Sequence, residues 1–195
     1  MPLRRFQNKD VYEYKKSMKS TIVTTRFNNK TWTENQQFLQ ESTKNGTLAP
    51  KVQCLYCTSM PMGSNVPLST NLFVLEMNND TNQILGIGLV KHETPLYHKY
   101  QVYANDCYNT FAYRGLYRID RIAFTEEEEG LVKDLEKMCF KGRRHLKRLQ
   151  GIKAFPIDML YDYREVQKID LVVEVAAMFK RRFMKDKPMV DQEKN

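Results

Sequence analysis

Two apolar segments separated by six polar residues constrain the fold of this chain more than any other feature. Residues 72–77 (Leu-Phe-Val-Leu-Glu-Met) and 84–90 (Ile-Leu-Gly-Ile-Gly-Leu-Val) have the length and composition of strands. Residues 78–83 contain only Asn, Asp, Thr and Gln, and such a polar stretch is typical of a turn. We therefore predict that the two segments are strands joined by this turn and form the centre of a sheet.

The rest of the fold is predicted around this pair of strands. Further strands are expected at residues 52–56 and 111–122. A short helix is expected from Thr31 to Gln40, because Thr31 and Glu34 have the spacing of a capping box. The fold class predicted is α+β, with a small, mostly antiparallel sheet covered by helices.

Two amphipathic helices are expected to cover the sheet, near residues 126–141 and 168–184. Thr125 and Glu128 form a capping box at the start of the first helix, and Gly142 ends it. The four glutamates after Thr125 therefore belong to a first helical turn, where carboxylates stabilise the positive end of the helix dipole.

The composition fits one globular domain. With 42% hydrophobic residues among 195, the chain can bury a sizeable core. We place this domain at residues 27–185, after a polar basic arm at residues 1–26 and before a tail at residues 186–195. The longest apolar run, residues 84–90, is far shorter than the roughly 20 residues that span a bilayer, so no transmembrane segment is expected.

Charge predicts an acidic partner. The formal net charge is +8, from 31 Lys and Arg against 23 Asp and Glu. Nucleic acid, anionic lipid and acidic proteins all fit such a charge. A dense cluster at residues 141–148 favours nucleic acid, because Lys and Arg contacts to phosphate supply affinity that does not depend on base sequence. The candidate contacts in this cluster are Lys141, Arg143, Arg144, His145, Lys147 and Arg148.

Within this cluster the cations are expected on the surface, while Leu146 and Leu149 anchor the segment to the domain. The cations at residues 180–182 either complement the dipole of the last helix or extend the basic surface.

Residues 111–119 alternate with a period of two, which predicts a strand with an aromatic and a basic face. Tyr113 and Tyr117 lie on the aromatic face, where they are candidates for stacking on bases. Arg114 and Arg118 lie on the other face, roughly 13 Å apart, a spacing that suits two phosphates. Arg121 completes the candidate set. The alternative is that Arg118 and Arg121 form local ion pairs with Asp120.

Gly86 and Gly88 fall on one face of their strand, which leaves room for another backbone, a ring or a ligand. Tight packing of a helix against the sheet is the simpler explanation.

No catalytic motif is present, so binding is favoured over catalysis and no catalytic residue is assigned. Cys54 and Cys57 have C-x-x-C spacing, and His92 and His98 are the nearest additional ligand types, but no second C-x-x-C pair exists. We expect no bound metal and no cofactor. In a chain without a secretion signal, the four cysteines are expected to be free thiols, and the protein is expected inside the cell.

Several strings of residues resemble an uncharacterised protein family of nucleocytoplasmic large DNA viruses. They are residues 73–79 (FVLEMNN), 86–90 (GIGLV), 117–121 (YRIDR), 139–142 (CFKG) and 145–148 (HLKR). The resemblance covers about residues 27–185. It implies a viral origin, with a location in the host cytoplasm, nucleus, virus factory or virion, and no particular mechanism.

The order of strand, turn, glycine-containing strand and aromatic-basic strand is similar to the curled sheets of the PUA-like group, which includes EVE, ASCH and YTH domains. Those domains bind RNA or modified bases in aromatic pockets. Trp32 is the only tryptophan here, and no matching aromatic cage is evident.

The sequence therefore predicts a non-catalytic protein that binds RNA or DNA through a basic surface. The alternative is a structural or packaging component of a virus particle, without specific readout of nucleic acid, whose basic surface meets the genome or an acidic viral protein. An enzyme and a membrane-surface adaptor are the remaining classes.

Overall fold

In the residues that the computed structural model describes, 8–63, 65–93, 100–148 and 150–184, helices and strands are interspersed along the chain. The strands are β1 (Ser20–Phe27), β2 (Cys54–Thr58), β3 (Asn71–Asn78), β4 (Gln83–Lys91), β5 (Phe111–Gly115), β6 (Tyr117–Asp120) and β7 (Lys153–Ala154). The helices are α1 (Asn8–Ser17), α2 (Asn29–Lys44), α3 (Glu126–Phe140), α4 (Ile157–Gln167) and α5 (Leu171–Phe183). The α+β fold class is confirmed.

Five strands form a mixed sheet in the order β6-β4-β3-β1-β7. β1 and β3 are parallel, and each of the other neighbouring pairs is antiparallel. β2 and β5 form a separate two-stranded antiparallel sheet. The single strand predicted over residues 111–122 is therefore wrong, because the chain leaves one sheet at Gly115 and enters the other at Tyr117.

The N-terminal region is the largest departure from the sequence prediction. The polar arm predicted at residues 1–26 is wrong from residue 8 onward, because residues 8–17 form α1 and residues 20–27 form an internal strand. Ile22, Val23, Thr24 and Thr25 of β1 are all buried between β3 and β7. Residues 1–7 and the predicted tail at 186–195 lie outside the described residues.

Both faces of the five-stranded sheet are covered, which explains why β3 is apolar without interruption. Phe73 and Leu75 pack into a core shared with α3, α4 and α5. Leu72 and Val74 pack into a second core on the opposite face, where β2 contributes Leu55. Side chains alternate between the two cores along the strand, as the period of two requires.

The helix caps follow local sequence signals. Thr125 and Glu128 form the predicted capping box of α3. The predicted start of α2 is corrected, because its cap is Asn28, whose side chain accepts from the Thr31 amide at 2.8 Å. α4 was not predicted. It ends at Lys168, whose positive φ of 58° turns the chain toward α5.

Candidate nucleic-acid interface

The basic segment 141–148 turns back onto the domain directly after α3. Gly142 has a φ of 77°, a conformation that glycine adopts without strain, and α3 ends two residues before it. The Leu146 side chain is buried, and its amide donates to the Cys139 carbonyl at 2.7 Å. The predicted anchor at Leu146 is confirmed, whereas Leu149 lies outside the described residues.

Four cations of this segment are exposed, namely Lys141, Arg143, Arg144 and Arg148. Arg144 pairs with Asp158 at 2.6 Å, but both side chains are about half exposed, and an ion pair in water is easily exchanged. Lys147 is partly buried. His145 is also partly buried, and its Nδ1 has no partner among the described residues.

A groove of about 600 Å³ joins this segment to α3 and to the turn between β3 and β4. It is lined by four lysines, and we call it the lysine groove: Lys133, Lys137, Lys141 and Lys147. The first three are spaced four residues apart, so they follow one side of α3 and its end. Lys147 closes the opposite side, where its Nζ donates to Asn82 Oδ1 at 2.7 Å.

The carboxylates near the lysine groove are already engaged. Glu136 accepts hydrogen bonds from the Arg121 guanidinium and from the Ile84 amide. Lys137 pairs with Asp134, while Lys133 lies 4.0 Å from Glu129. The side chains of Lys133 and Lys137 remain 63% and 65% exposed, so their ammonium groups are accessible to a phosphate.

Of the three arginines predicted at the sheet, Arg114 is exposed and the other two are occupied by protein carboxylates. Arg118 is 11% exposed and pairs with Glu76 and Asp120. Arg121 pairs with glutamates of α3. The prediction that Arg114 and Arg118 share one phosphate-binding face is therefore wrong. The alternative, a local ion pair at the end of the strand, is confirmed for Arg118 with Asp120.

The two predicted stacking tyrosines differ in accessibility. Tyr113 is buried, and its hydroxyl accepts a hydrogen bond from the Met62 amide at 2.8 Å. The prediction that Tyr113 stacks on bases is therefore wrong, because the ring is not accessible. Tyr117 is 41% exposed, and its ring centroid lies 4.9 Å from that of Phe183.

The cations at the end of α5 have a structural partner that the sequence did not reveal. Arg181 and Arg182 donate to the carboxylate of Glu128, which is 1% exposed. The hydrogen bond from Arg182 is the main cause that lowers the pKa of Glu128 to about 2. These arginines therefore tie α5 to the start of α3.

The glycine face of β4 receives a ring from the second sheet rather than a helix. A Cβ at Gly88 would lie 1.9 Å from Tyr56 Oη, and one at Gly86 would lie 2.8 Å from Glu76 Oε2. Tyr56 Oη donates to Glu76 Oε1 at 2.8 Å, and both residues are 1% exposed. Burial, followed by the charges of Cys54 and Glu76, raises the pKa of Tyr56 well above its ordinary value. This network joins the sheets and is sealed from solvent.

The C-x-x-C pair is part of the same buried strand. Side chains three residues apart on a strand point to opposite faces, so Cys54 and Cys57 cannot hold one ion together. Burial raises the pKa of each thiol to about 12. His92 contacts the Pro67 carbonyl, while His98 lies outside the described residues. In the part of the chain that the structure describes, no group of three potential ligands is arranged to hold a metal ion.

A second cavity, of about 230 Å³, lies where the parallel strands β1 and β3 end, beside the start of α2. Arg26 is part of its lining, and we call it the Arg26 pocket. It adjoins the lysine groove, since the Lys147 carbonyl accepts from Arg26 Nη1 and from Asn79 Nδ2 while the Lys147 side chain faces the groove.

A third cavity, of about 550 Å³, lies beside α1 and the start of β1. Its lining is largely apolar and includes Tyr12, Val66 and Phe155. None of its described lining atoms is a buried polar atom without a partner, so nothing in it indicates a particular ligand.

Comparisons with known proteins give no assignment. The chain matches no family model, no curated protein and no solved structure. Among the described helices, none is both long and apolar enough to cross a membrane.

Sequence reasoning missed three residues of these two sites. Lys133 and Lys137 lie within the amphipathic helix predicted near residues 126–141 and are not among the candidate contacts, although their spacing with Lys141 predicts a continuous row of charge. Arg26 was missed because the N-terminal region was interpreted as an arm. An arginine directly after five β-branched residues, at positions 21–25, was the available signal.

Proposed function

We propose that this protein binds nucleic acid through the lysine groove, by contacts to phosphate that are independent of base sequence. The observation that supports this is the convergence of Lys133, Lys137, Lys141 and Lys147 on one groove. Exposed ammonium groups release counterions when phosphates replace water around them, and this release is a main source of affinity for a polyanion.

The surroundings extend the positive surface beyond the groove. Arg143 and Arg148 are exposed on the segment that carries Lys147, and Arg144 is held only by a solvent-exposed ion pair. Because lysine is a point charge without the planar fork that reads a base edge, the groove favours backbone contact over base readout.

The test is a titration of a labelled single strand and a labelled duplex by fluorescence anisotropy. With about four phosphate contacts on a duplex, affinity should fall about 100-fold between about 50 and about 200 mM salt. Absence of binding at the lower salt, or an affinity that does not change with salt, would contradict the proposal.

A matched pair of triple variants locates the surface. Lys133→Gln, Lys137→Gln and Lys141→Gln together should weaken binding about 10-fold or more and reduce the salt slope by about 3. Lys44→Gln, Lys51→Gln and Lys91→Gln together remove the same charge from exposed positions outside the groove. Equal losses in the two triples would show that net charge, and not the groove, is responsible.

A further inference from the structure

Arg26 is a partly buried cation whose charge is not balanced by any carboxylate among the described residues. Its Nη1 donates to the Lys147 carbonyl, but its Nε is sealed from solvent and has no partner among the described residues. Burial lowers the pKa of Arg26, yet an arginine stays protonated at neutral pH. No described carboxylate forms an ion pair with it, and a desolvated charge without a counter-ion is unfavourable.

The rest of the Arg26 pocket is neutral and rich in hydrogen-bonding groups. Its described lining includes hydroxyls of Thr25, Ser59 and Tyr108 and the amide of Gln150, and it contains no Asp or Glu. A cavity with one cation, several neutral donors and no carboxylate favours an anion.

One acceptor in the pocket also lacks a partner. Asn79 Nδ2 donates to the Lys147 carbonyl at 3.1 Å, which fixes the orientation of the amide. Its Oδ1 is buried and receives no hydrogen bond from any described residue. Because both atoms are sealed from solvent, a ligand meets the guanidinium of Arg26 from the pocket side, and the neutral polar side chains of the lining are the partners for its other groups.

We propose that the Arg26 pocket binds a phosphate group carried on a sugar, with the phosphate at the Arg26 guanidinium and the sugar hydroxyls at the neutral polar side chains of the lining. The volume of about 230 Å³ is smaller than the roughly 300–1,000 Å³ of pockets for drug-sized ligands, so it suits a sugar phosphate better than a whole dinucleotide. The position at the carboxyl ends of parallel strands is where α/β sheets commonly bind phosphorylated ligands.

The same chemistry has two sources, a free sugar phosphate and the phosphorylated end of a nucleic acid strand. The second source rests on the proposed function, because the strand would have to lie in the adjoining lysine groove.

Calorimetric titration with ribose 5-phosphate, inorganic phosphate and ribose tests the pocket without nucleic acid. We expect one site per chain for ribose 5-phosphate, at least about tenfold weaker binding of inorganic phosphate because it lacks the sugar hydroxyl, and no binding of ribose.

Two sets of variants identify the site. Arg26→Gln should weaken ribose 5-phosphate at least about tenfold, since it removes the only described cation of the lining. Ser59→Asp adds a carboxylate to the lining and should abolish binding, while the neutral control Ser59→Asn should retain it. If Arg26→Gln does not fold, the comparison of Ser59→Asp with Ser59→Asn is sufficient to test the site. Failure of the parent to bind ribose 5-phosphate, or undiminished binding by Ser59→Asp, would overturn the proposal.

Oligonucleotides with a 5′-phosphate and with a 5′-hydroxyl distinguish the sources. Tighter binding of the phosphorylated strand by the parent, lost in Arg26→Gln or Ser59→Asp, assigns the pocket to strand ends. Equal binding of both strands assigns it to a free sugar phosphate. If neither strand binds but ribose 5-phosphate does, the proposed function fails and the pocket stands.

Discussion

Arg118 donates to both carboxylate oxygens of Glu76, at 2.9 Å from Nε to Oε1 and 2.7 Å from Nη2 to Oε2, in the space that Gly86 leaves open. Burial alone would lower the pKa of Arg118, but the hydrogen bonds and charge of Glu76 outweigh it and raise the pKa. The Arg118 guanidinium also lies 5.5 Å from the centre of the Trp32 ring. Arg118 thus joins β6 to β3 and to α2.

Breaking this pair should be costly. Arg118→Met leaves the Glu76 carboxylate buried without its cation and should lower the free energy of unfolding by about 3–5 kcal/mol. Urea denaturation measures the change. Arg144→Ala, which breaks the exposed pair with Asp158, should cost no more than about 1 kcal/mol. The double variant Arg118→Met with Glu76→Leu should recover much of the loss, and no recovery would show that the pair is not the cause.

The ion pair of Glu128 with α5 should make the protein sensitive to acid. Its folded-state pKa of about 2 lies below the ordinary value of 4.5, so the stabilisation is complete above pH 4.5 and declines as pH falls toward 2. Between pH 6 and pH 3 the parent should lose about 1–2 kcal/mol more than Glu128→Gln, as measured by denaturation at each pH. Glu127→Gln, at an exposed position in the same turn, should follow the parent.

Two glycines should respond oppositely to alanine. Gly88→Ala places a methyl group against Tyr56 Oη and should destabilise the fold by about 1–3 kcal/mol, because the second sheet must shift. Gly130 lies within α3 with open space around it, so Gly130→Ala should stabilise by about 0.5–1 kcal/mol. Thermal denaturation compares the two, and a stable Gly88→Ala would contradict the close packing of the sheets.

The four thiols should divide sharply in reactivity. Cys107 is exposed, whereas Cys54, Cys57 and Cys139 are buried with pKa values raised by desolvation. Because the thiolate is the reactive species, a thiol reagent should label Cys107 rapidly in the folded protein and the other three only in denaturant. Mass spectrometry of the labelled peptides locates the modification, and rapid labelling of Cys57 would show that β2 opens readily.

The elements that the sequence predicted well are those whose signals are local. The hairpin of β3 and β4 combines two apolar runs with a polar turn, and the start of α3 is encoded in Thr125 and Glu128. β1 was missed because five of its eight residues are polar and it follows a lysine-rich helix. Its burial comes from β3 and β7, which are distant in sequence.

Only part of the candidate site could be predicted, because some of its residues depend on local signals and others on contacts between distant segments. The exposure of Lys141, Arg143 and Arg148 follows from a charged segment after a helix end. The ion pairing of Arg118 does not follow from the sequence. A period of two along one strand cannot reveal that the chain changes sheets at Leu116, or that Glu76 of another strand lies opposite Arg118. The Arg26 pocket likewise depends on tertiary contacts at Lys147.

The internal position of β1 in the sheet has a consequence for how the chain is made. Ser20 pairs with Asn71, and Val23 pairs with Ala154, so the first strand to leave the ribosome is among the last to acquire both neighbours. Pairings between such distant segments slow folding, because the loop between them must close before any contact forms. Until residue 154 has emerged, β1 has an unpaired edge, and a chain cut short before that point exposes a strand of eight residues to pairing with other chains.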